Sequence, residues 1–246
     1  MLFRELDLPA PVLEALKEMG YEETTPIQEK TLPHILSGKD VLGLAETGSG
    51  KTSACAIPLV SRIDTQDRNI QVLILVPTRE LALQYVQEVD DVSKHSDVVP
   101  FAVFGGFDMD IQKAKLKHGV HILVATPGRL IDLIWNHRLD LAQVKSVVLD
   151  EADEMLKMGF IEDVDFIMSC MMQEHQTLLF SATMPKEVER LTQQYLNEPE
   201  RIELNREQRA PQSLDHYFQH VGRQRLDALV DYIEANDVKQ GIIFCN

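Results

Sequence analysis

Five short apolar runs recur along the chain, at residues 41–45, 72–76, 122–125, 147–149 and 178–180. Each ends in small or polar residues and is followed by a helical pattern. Their hydrophobicity is continuous rather than alternating. Strands of this kind are buried on both faces, and with helices between them they predict a parallel sheet covered on both sides by crossover helices, an α/β fold. In such sheets ligands sit beyond the carboxyl ends of the strands, so chemistry is expected in the loops that directly follow these runs.

Past residue 204 the pattern changes. Residues 205–213, N-R-E-Q-R-A-P-Q-S, are polar and contain proline, which predicts a linker between a domain over residues 1–204 and a second unit over residues 214–246. In that unit residues 214–221 have strand character and residues 241–245 are predicted to form another apolar strand. Residues 222–236 are helical, with Leu226, Leu229, Val230 and Ile233 at i, i+3, i+4 and i+7. A strand, a helix and a strand cannot close a core, so this tail is expected to be the truncated start of a second domain. Its helix should leave those four side chains poorly covered and open to self-association.

Composition narrows the class. With 246 residues, 44% apolar and 26% charged, the chain can bury a core and is neither disordered nor fibrous. No stretch approaches the roughly 18 to 20 apolar residues that span a bilayer, and the first five residues lack a signal peptide's design, which predicts a soluble, cytoplasmic protein with no membrane partner. Cys55, Cys170 and Cys245 include no C-x-x-C pair, so neither a disulfide framework nor a cysteine zinc site is encoded. The histidines show no metal-ligand pattern either, since His216 and His220 fall in a predicted strand. Charge changes the picture most. A net charge of −15 and a pI near 4.9 exclude a broad basic surface, so any polynucleotide site must be local.

The loop after the first run reads A-E-T-G-S-G-K-T, from Ala45 and Glu46 through Thr47, Gly48, Ser49 and Gly50 to Lys51 and Thr52. It is a phosphate-binding loop that opens on alanine. Gly48 and Gly50 let successive N–H groups turn toward phosphate oxygens at a helix N-terminus. Lys51 supplies a mobile charge for the β- and γ-phosphates, and Thr52 offers a hydroxyl to Mg²⁺. Glu46 should point away from bound phosphate. Triphosphate hydrolysis also needs carboxylates for the metal and the attacking water. The run at residues 147–149 delivers them: Asp150 can hold Mg²⁺ through water, and Glu151 can orient or deprotonate the nucleophile.

Asp150-Glu151-Ala152-Asp153 spells D-E-A-D, and here the chain resembles the DEAD-box RNA helicases. Seven further family motifs stand in order: G-Y-E-E-T-T-P-I-Q at 20–28, the phosphate loop, P-T-R-E-L-A-L-Q at 77–84, Gly105-Gly106, T-P-G-R at 126–129, S-A-T at 181–183 and I-I-F-C-N at 242–246. The resemblance implies a RecA-like P-loop domain followed by the truncated start of a second, binding ATP, Mg²⁺ and RNA. It implies that Gln28 reads the adenine edge and that Phe3 stacks on the base. Pro77, Thr78, Arg79, Gly105, Gly106, Thr126, Pro127, Gly128 and Arg129 would grip the sugar-phosphate backbone of one RNA strand, through helix N-termini and two arginines. Asp153, Ser181 and Thr183 would link nucleotide state to strand separation. The family closes two such domains over ATP and RNA, which raises the affinity of each for the other. The arginine-rich motif of the second domain is missing after Asn246. Loss of an arginine finger costs about 10³ to 10⁵ in rate, so this chain alone should be nearly inactive. The alternative is a nucleotide-dependent RNA clamp or adaptor without turnover.

Overall fold

The structure is a computed structural model and describes residues 1–46, 48–204, 218, 220–222, 225–236 and 238–243. The chain divides into two compact units, Met1–Leu204 and Asn205–Asn246. The first holds a seven-stranded sheet: β1 Val41–Leu44, β2 Val72–Leu75, β3 Pro100–Val103, β4 Ile122–Ala125, β5 Ser146–Leu149, β6 Gln176–Ser181 and β7 Glu200–Glu203. The strand order is β3-β4-β2-β5-β6-β1-β7, and every pairing is parallel.

The helices are α1 Ala10–Glu18, α2 Pro26–Leu36, α3 Lys51–Val60, α4 Arg79–Val92, α5 Met109–Lys117, α6 Pro127–His137, α7 Ala152–Lys157, α8 Ile161–Ser169 and α9 Lys186–Tyr195. Successive strand residues alternate between two cores. Ile74, Val124, Val148 and Phe180 join the side chains of α1 to α4 on one face, while Leu73, Leu123, Leu149 and Leu179 join those of α6 to α9 on the other. That is the physical reason the strands read as continuous apolar runs. Each side chain faces a helix layer whichever way it points.

All five strands expected in the first unit are present. Two more were missed, and both lie at the edges of the sheet. β7 reads E-R-I-E, and only Ile202 is buried, because one neighbour and one face suffice there. β3 begins on Pro100, whose missing N–H costs least on an edge strand.

In the second unit the expected helix is observed as α10 Arg225–Ala235 and buries none of its side chains, with Leu226 71% and Val230 44% exposed. Residues 241–243 are not in a strand, contrary to the expected run there. Phe218, His220 and Val221 are not in a strand either. Residues 205–217, 219 and 244–246, which carry the expected linker, most of the expected strand 214–221, His216 and Cys245, lie outside the described residues. Among the described residues no helix is long and apolar enough to cross a membrane.

Candidate functional site

Strand register sets the heights of the loops. Val103 pairs with Ala125, Ala125 with Leu75, Leu75 with Leu149 and Leu149 with Leu179, while Leu44 pairs with Ser181. Six loops therefore leave the sheet along one edge at nearly one level. Across the sheet they run Gly105-Gly106, Thr126 to Arg129, Pro77 to Arg79, Asp150 to Asp153, Ser181 to Thr183, and the phosphate loop. Their order in space is not their order in sequence, and it gathers the phosphate loop and the acids on one half and the three candidate backbone-gripping loops on the other.

A cleft of about 480 Å³ on the first half is lined by Gly48, Gly50, Lys51, Thr52, Asp150 and Glu151, together with Thr78, Gln84 and Glu88 of the α4 region. Lys51 is buried and folds back so that its Nζ donates to the Ala45 carbonyl at 2.9 Å. That carbonyl holds one of the three ammonium protons and keeps the charge over the loop. Ala45 itself is buried in the core, which suits a small side chain at the first position. Glu46 is exposed, and its carbonyl accepts from the Ser49 hydroxyl at 2.8 Å. Thr47 lies outside the described residues.

Gly50 needs to be glycine twice over. Its φ is +94°, and a Cβ there would lie 2.9 Å from Gln28 Nε2 and 2.9 Å from Thr25 Oγ1. The close approach exists because Gln28 is tied to the loop. Its Oε1 accepts from the Thr25 amide at 2.9 Å and its Nε2 donates to the Gly50 carbonyl at 3.3 Å. Gln28 thus couples the start of α2 to the phosphate loop, and its amide can read a base only by sharing or giving up the Gly50 contact. Phe3 is 2% exposed and stacks on Tyr21 with ring centroids 6.0 Å apart. It offers no open face to a base. Its backbone N–H donates to the Glu22 carbonyl, so it anchors the segment that leads to Gln28.

Asp150 is 2% exposed, and each of its carboxylate oxygens has one partner. Its Oδ2 accepts from the Tyr85 hydroxyl at 2.6 Å and its Oδ1 from the Glu151 amide at 2.8 Å. Burial pushes its carboxyl up, against the pull of the Lys51 charge and these two hydrogen bonds. The Asp150–Glu151 contact also holds Glu151 in the left-handed region at φ +52°, a strained setting for a non-glycine residue. Burial, and then the Asp150 charge, push the Glu151 carboxyl above its ordinary value, as suits a general base. The hydroxyl of Thr52 and the carboxylates of Asp150 and Glu151 are hard oxygen donors facing one cleft, which is the donor chemistry Mg²⁺ takes.

Asp153 is bonded across the sheet. Its Oδ2 accepts from the Thr183 amide at 3.1 Å and hydroxyl at 2.7 Å, and its own N–H donates to Ser181 Oγ at 3.3 Å. Burial raises its carboxyl, but the Thr183 and Ser181 hydroxyls and the Ala182 amide outweigh that and hold it below the usual range.

On the other half, Thr78 caps α4 by accepting from the Leu81 amide at 3.2 Å, and Arg79 lies over the Phe104 ring at 5.5 Å. Gly105, Gly106 and Gly128 are exposed, Pro127 is buried, and Arg129 Nη1 donates to the Phe107 carbonyl at 3.1 Å. Two groups of α4 beside the cleft escaped the sequence reading. One is Tyr85, whose signal was a phenol within the buried stripe Ala82, Tyr85, Val89 and Val92 of α4, where a hydroxyl must find a partner. The other is Glu88, which accepts from both Ser53 and Tyr21 and so ties α3, α4 and the segment before α2 together.

Tyr85→Phe keeps the ring and leaves an Asp150 oxygen unpaired. It is expected to cost about 1–3 kcal/mol, at about 2–4 °C of melting temperature per kcal/mol for a unit of this size. An unchanged melting curve would mean that water satisfies that oxygen.

Comparison with known proteins bears on the same residues. A family model described as DEAD/DEAH box helicase matches residues 25–191. The chain is 46% identical over 244 residues to the ATP-dependent RNA helicase DeaD of Escherichia coli strain K12, covering 98% of this chain and 39% of that one. It is 42% identical over 243 residues to the DEAD-box ATP-dependent RNA helicase CshA of Bacillus cereus, covering 98% of this chain and 46% of that one. The chain thus spans less than half the length of these curated relatives. Among solved structures it is similar to a DEAD box protein from the hyperthermophile Methanococcus jannaschii. The TM-score is 0.80 at 40% identity, covering 82% of this chain and 56% of that one.

Proposed function

The chain belongs to the DEAD/DEAH box helicase family, and on that premise we propose that it is the ATP-binding, RNA-gripping part of an ATP-dependent RNA helicase. The observation that carries the reading is the common height of the six loops, with Lys51, Asp150 and Glu151 lining one cleft beside three glycine- and arginine-bearing loops. Lys51 leaves the Ala45 carbonyl for the β- and γ-phosphates, and the loop amides take the remaining oxygens. Thr52, and Asp150 through water, would hold Mg²⁺, which would neutralise charge developing on the phosphates. Glu151 orients the attacking water and accepts its proton.

Arg79 and Arg129, with the amides after β2, β3 and β4, hold an RNA backbone without a basic surface, which reconciles an acidic chain with a polyanionic ligand. Asp153 carries the state of the acidic loop to Ser181 at the end of the next strand and to Thr183 just beyond it. Residues 214–246 belong to a second RecA-like unit, and in the two-unit arrangement that the family resemblance implies, ATP and RNA raise each other's affinity.

Titration of this chain with ATP, GTP and their diphosphates tests the nucleotide half. ATP is expected to bind more tightly than GTP, Lys51→Ala to weaken every triphosphate, and Gln28→Ala to collapse the preference for adenine. Equal binding of ATP and GTP by the parent chain would remove Gln28 from the base-reading role. For the coupling, a longer protein that carries this chain and a complete second unit should hydrolyse ATP faster with RNA than without. Equal rates would defeat the helicase reading.

A further inference from the structure

We propose that Phe107 is a base-stacking platform for single-stranded RNA, resting on the reading above that this edge grips an RNA backbone. Phe107 directly follows Gly105-Gly106, is 43% exposed, and stands beside the loop of Arg129. Backbone contacts position a strand, but an exposed aromatic ring can take a base as well.

The backbone that carries the ring is held in place. The Phe107 carbonyl accepts from Arg129 Nη1 at 3.1 Å and from Gln112 Nε2 at 3.2 Å, so α6 and α5 each supply a donor. Gln112 is fully buried, and its Nε2 also reaches the carbonyls of Phe104 at 3.4 Å and Asp108 at 3.3 Å. One amide therefore staples the whole turn. A platform fixed before binding loses little freedom when a base settles on it.

Phe107 is not simply a core residue that falls short. A hydrophobic residue just before the N-cap Asp108 would ordinarily pack on the fourth residue of the helix. That residue is Gln112, whose amide is spent on the turn. The ring instead meets Phe104 at a tilt, with centroids 5.8 Å apart and planes at 47°, which leaves a face of Phe107 open. Trp135 is more exposed at 69%, but it already lies nearly parallel on Phe166, at 5.6 Å and 19°.

Phe104 links the two chemistries. Arg79 sits over its ring and Phe107 tilts against it, so a charge for a phosphate and a face for a base are carried on one buried side chain. Stacking on a single ring tolerates any base, and this predicts affinity for single strands without sequence choice.

The test compares two single-stranded RNA oligomers of equal length, one intact and one abasic throughout, bound to the parent chain, Phe107→Ala, Phe107→Trp and Arg129→Ala. Phe107→Ala is expected to bind intact RNA about fivefold to a hundredfold more weakly. It should match the parent on abasic RNA, and Phe107→Trp should retain tight binding. A 2-aminopurine base in the intact strand should be quenched by the parent and the Trp variant but not by the Ala variant. Equal binding of intact RNA by Phe107→Ala and the parent, or an equal loss on both RNAs, overturns the stack. In either case the backbone grip survives if Arg129→Ala still weakens both RNAs. Failure of the parent to bind either RNA overturns the RNA-gripping edge and the stack with it.

Discussion

Replacing Glu151 by glutamine is expected to lower ATP turnover by about a hundredfold to ten-thousandfold in a protein that carries this chain and a complete second unit, while nucleotide and RNA affinities stay close to those of the parent. Glutamine keeps the shape of the side chain and its hydrogen-bonding reach. The amide of residue 151 can still donate to Asp150 Oδ1, so the left-handed turn that aims residue 151 into the cleft is preserved. What disappears is a basic oxygen able to take a proton from water. Lys51, Thr52 and the loop amides are untouched, which is why binding should survive.

A pH profile sharpens the expectation. A general base must be deprotonated, so turnover of the parent rises with pH through the Glu151 pKa, which burial lifts above 4.5. That limb should vanish in the glutamine variant. Parallel loss of nucleotide binding would recast Glu151 as a ligand-holding group, and unchanged turnover would remove it from the chemistry.

Gly43→Ala should be among the most destabilising single substitutions in the first unit. A Cβ at residue 43 would lie 2.4 Å from both Cδ1 and Cε1 of Phe180, with which Gly43 is paired in register on the neighbouring strand. The Phe180 ring covers the gap that the missing side chain leaves, and it is fully buried among the side chains of the core under α1 to α4. It has nowhere to go without moving its neighbours. Overpacking of this kind costs about 3 kcal/mol or more, or roughly 6–12 °C in melting temperature for a unit of this size.

The damage should reach the site, because β1 leads straight into the phosphate loop and β6 ends on Ser181. Pairing Gly43→Ala with Phe180→Leu should recover part of the loss, since the two positions share one space. If the single variant melts with the parent, the strand has room to shift that the geometry does not show.

Much of this protein is legible along the chain. The apolar runs predicted five of the seven strands, since a central strand buried on both faces must be apolar at every position. The turns after them marked the phosphate loop and the acids, since glycines, a lysine and carboxylates at those spacings have a direct chemical use. Edge strands were not legible: β7 needs only Ile202 inward, and so short a pattern is shared with many loops.

Other assignments belonged to packing. Phe3 was expected against a base, yet the segment 20–28 folds back over it and gives its ring to Tyr21. Gln28 keeps its expected place beside the phosphate loop, but its bonds to the Thr25 amide and the Gly50 carbonyl were not legible along the chain. Tyr85 and Asp150 stand 65 residues apart, and nothing local to either names the other. Local sequence determined which segments become strands and helices and which loops carry reactive groups, because backbone preference and burial pattern act over a few residues. Only the folded sheet decided which loops stand side by side and which hydroxyl meets which carboxylate, because strand order and register are set by packing between distant segments.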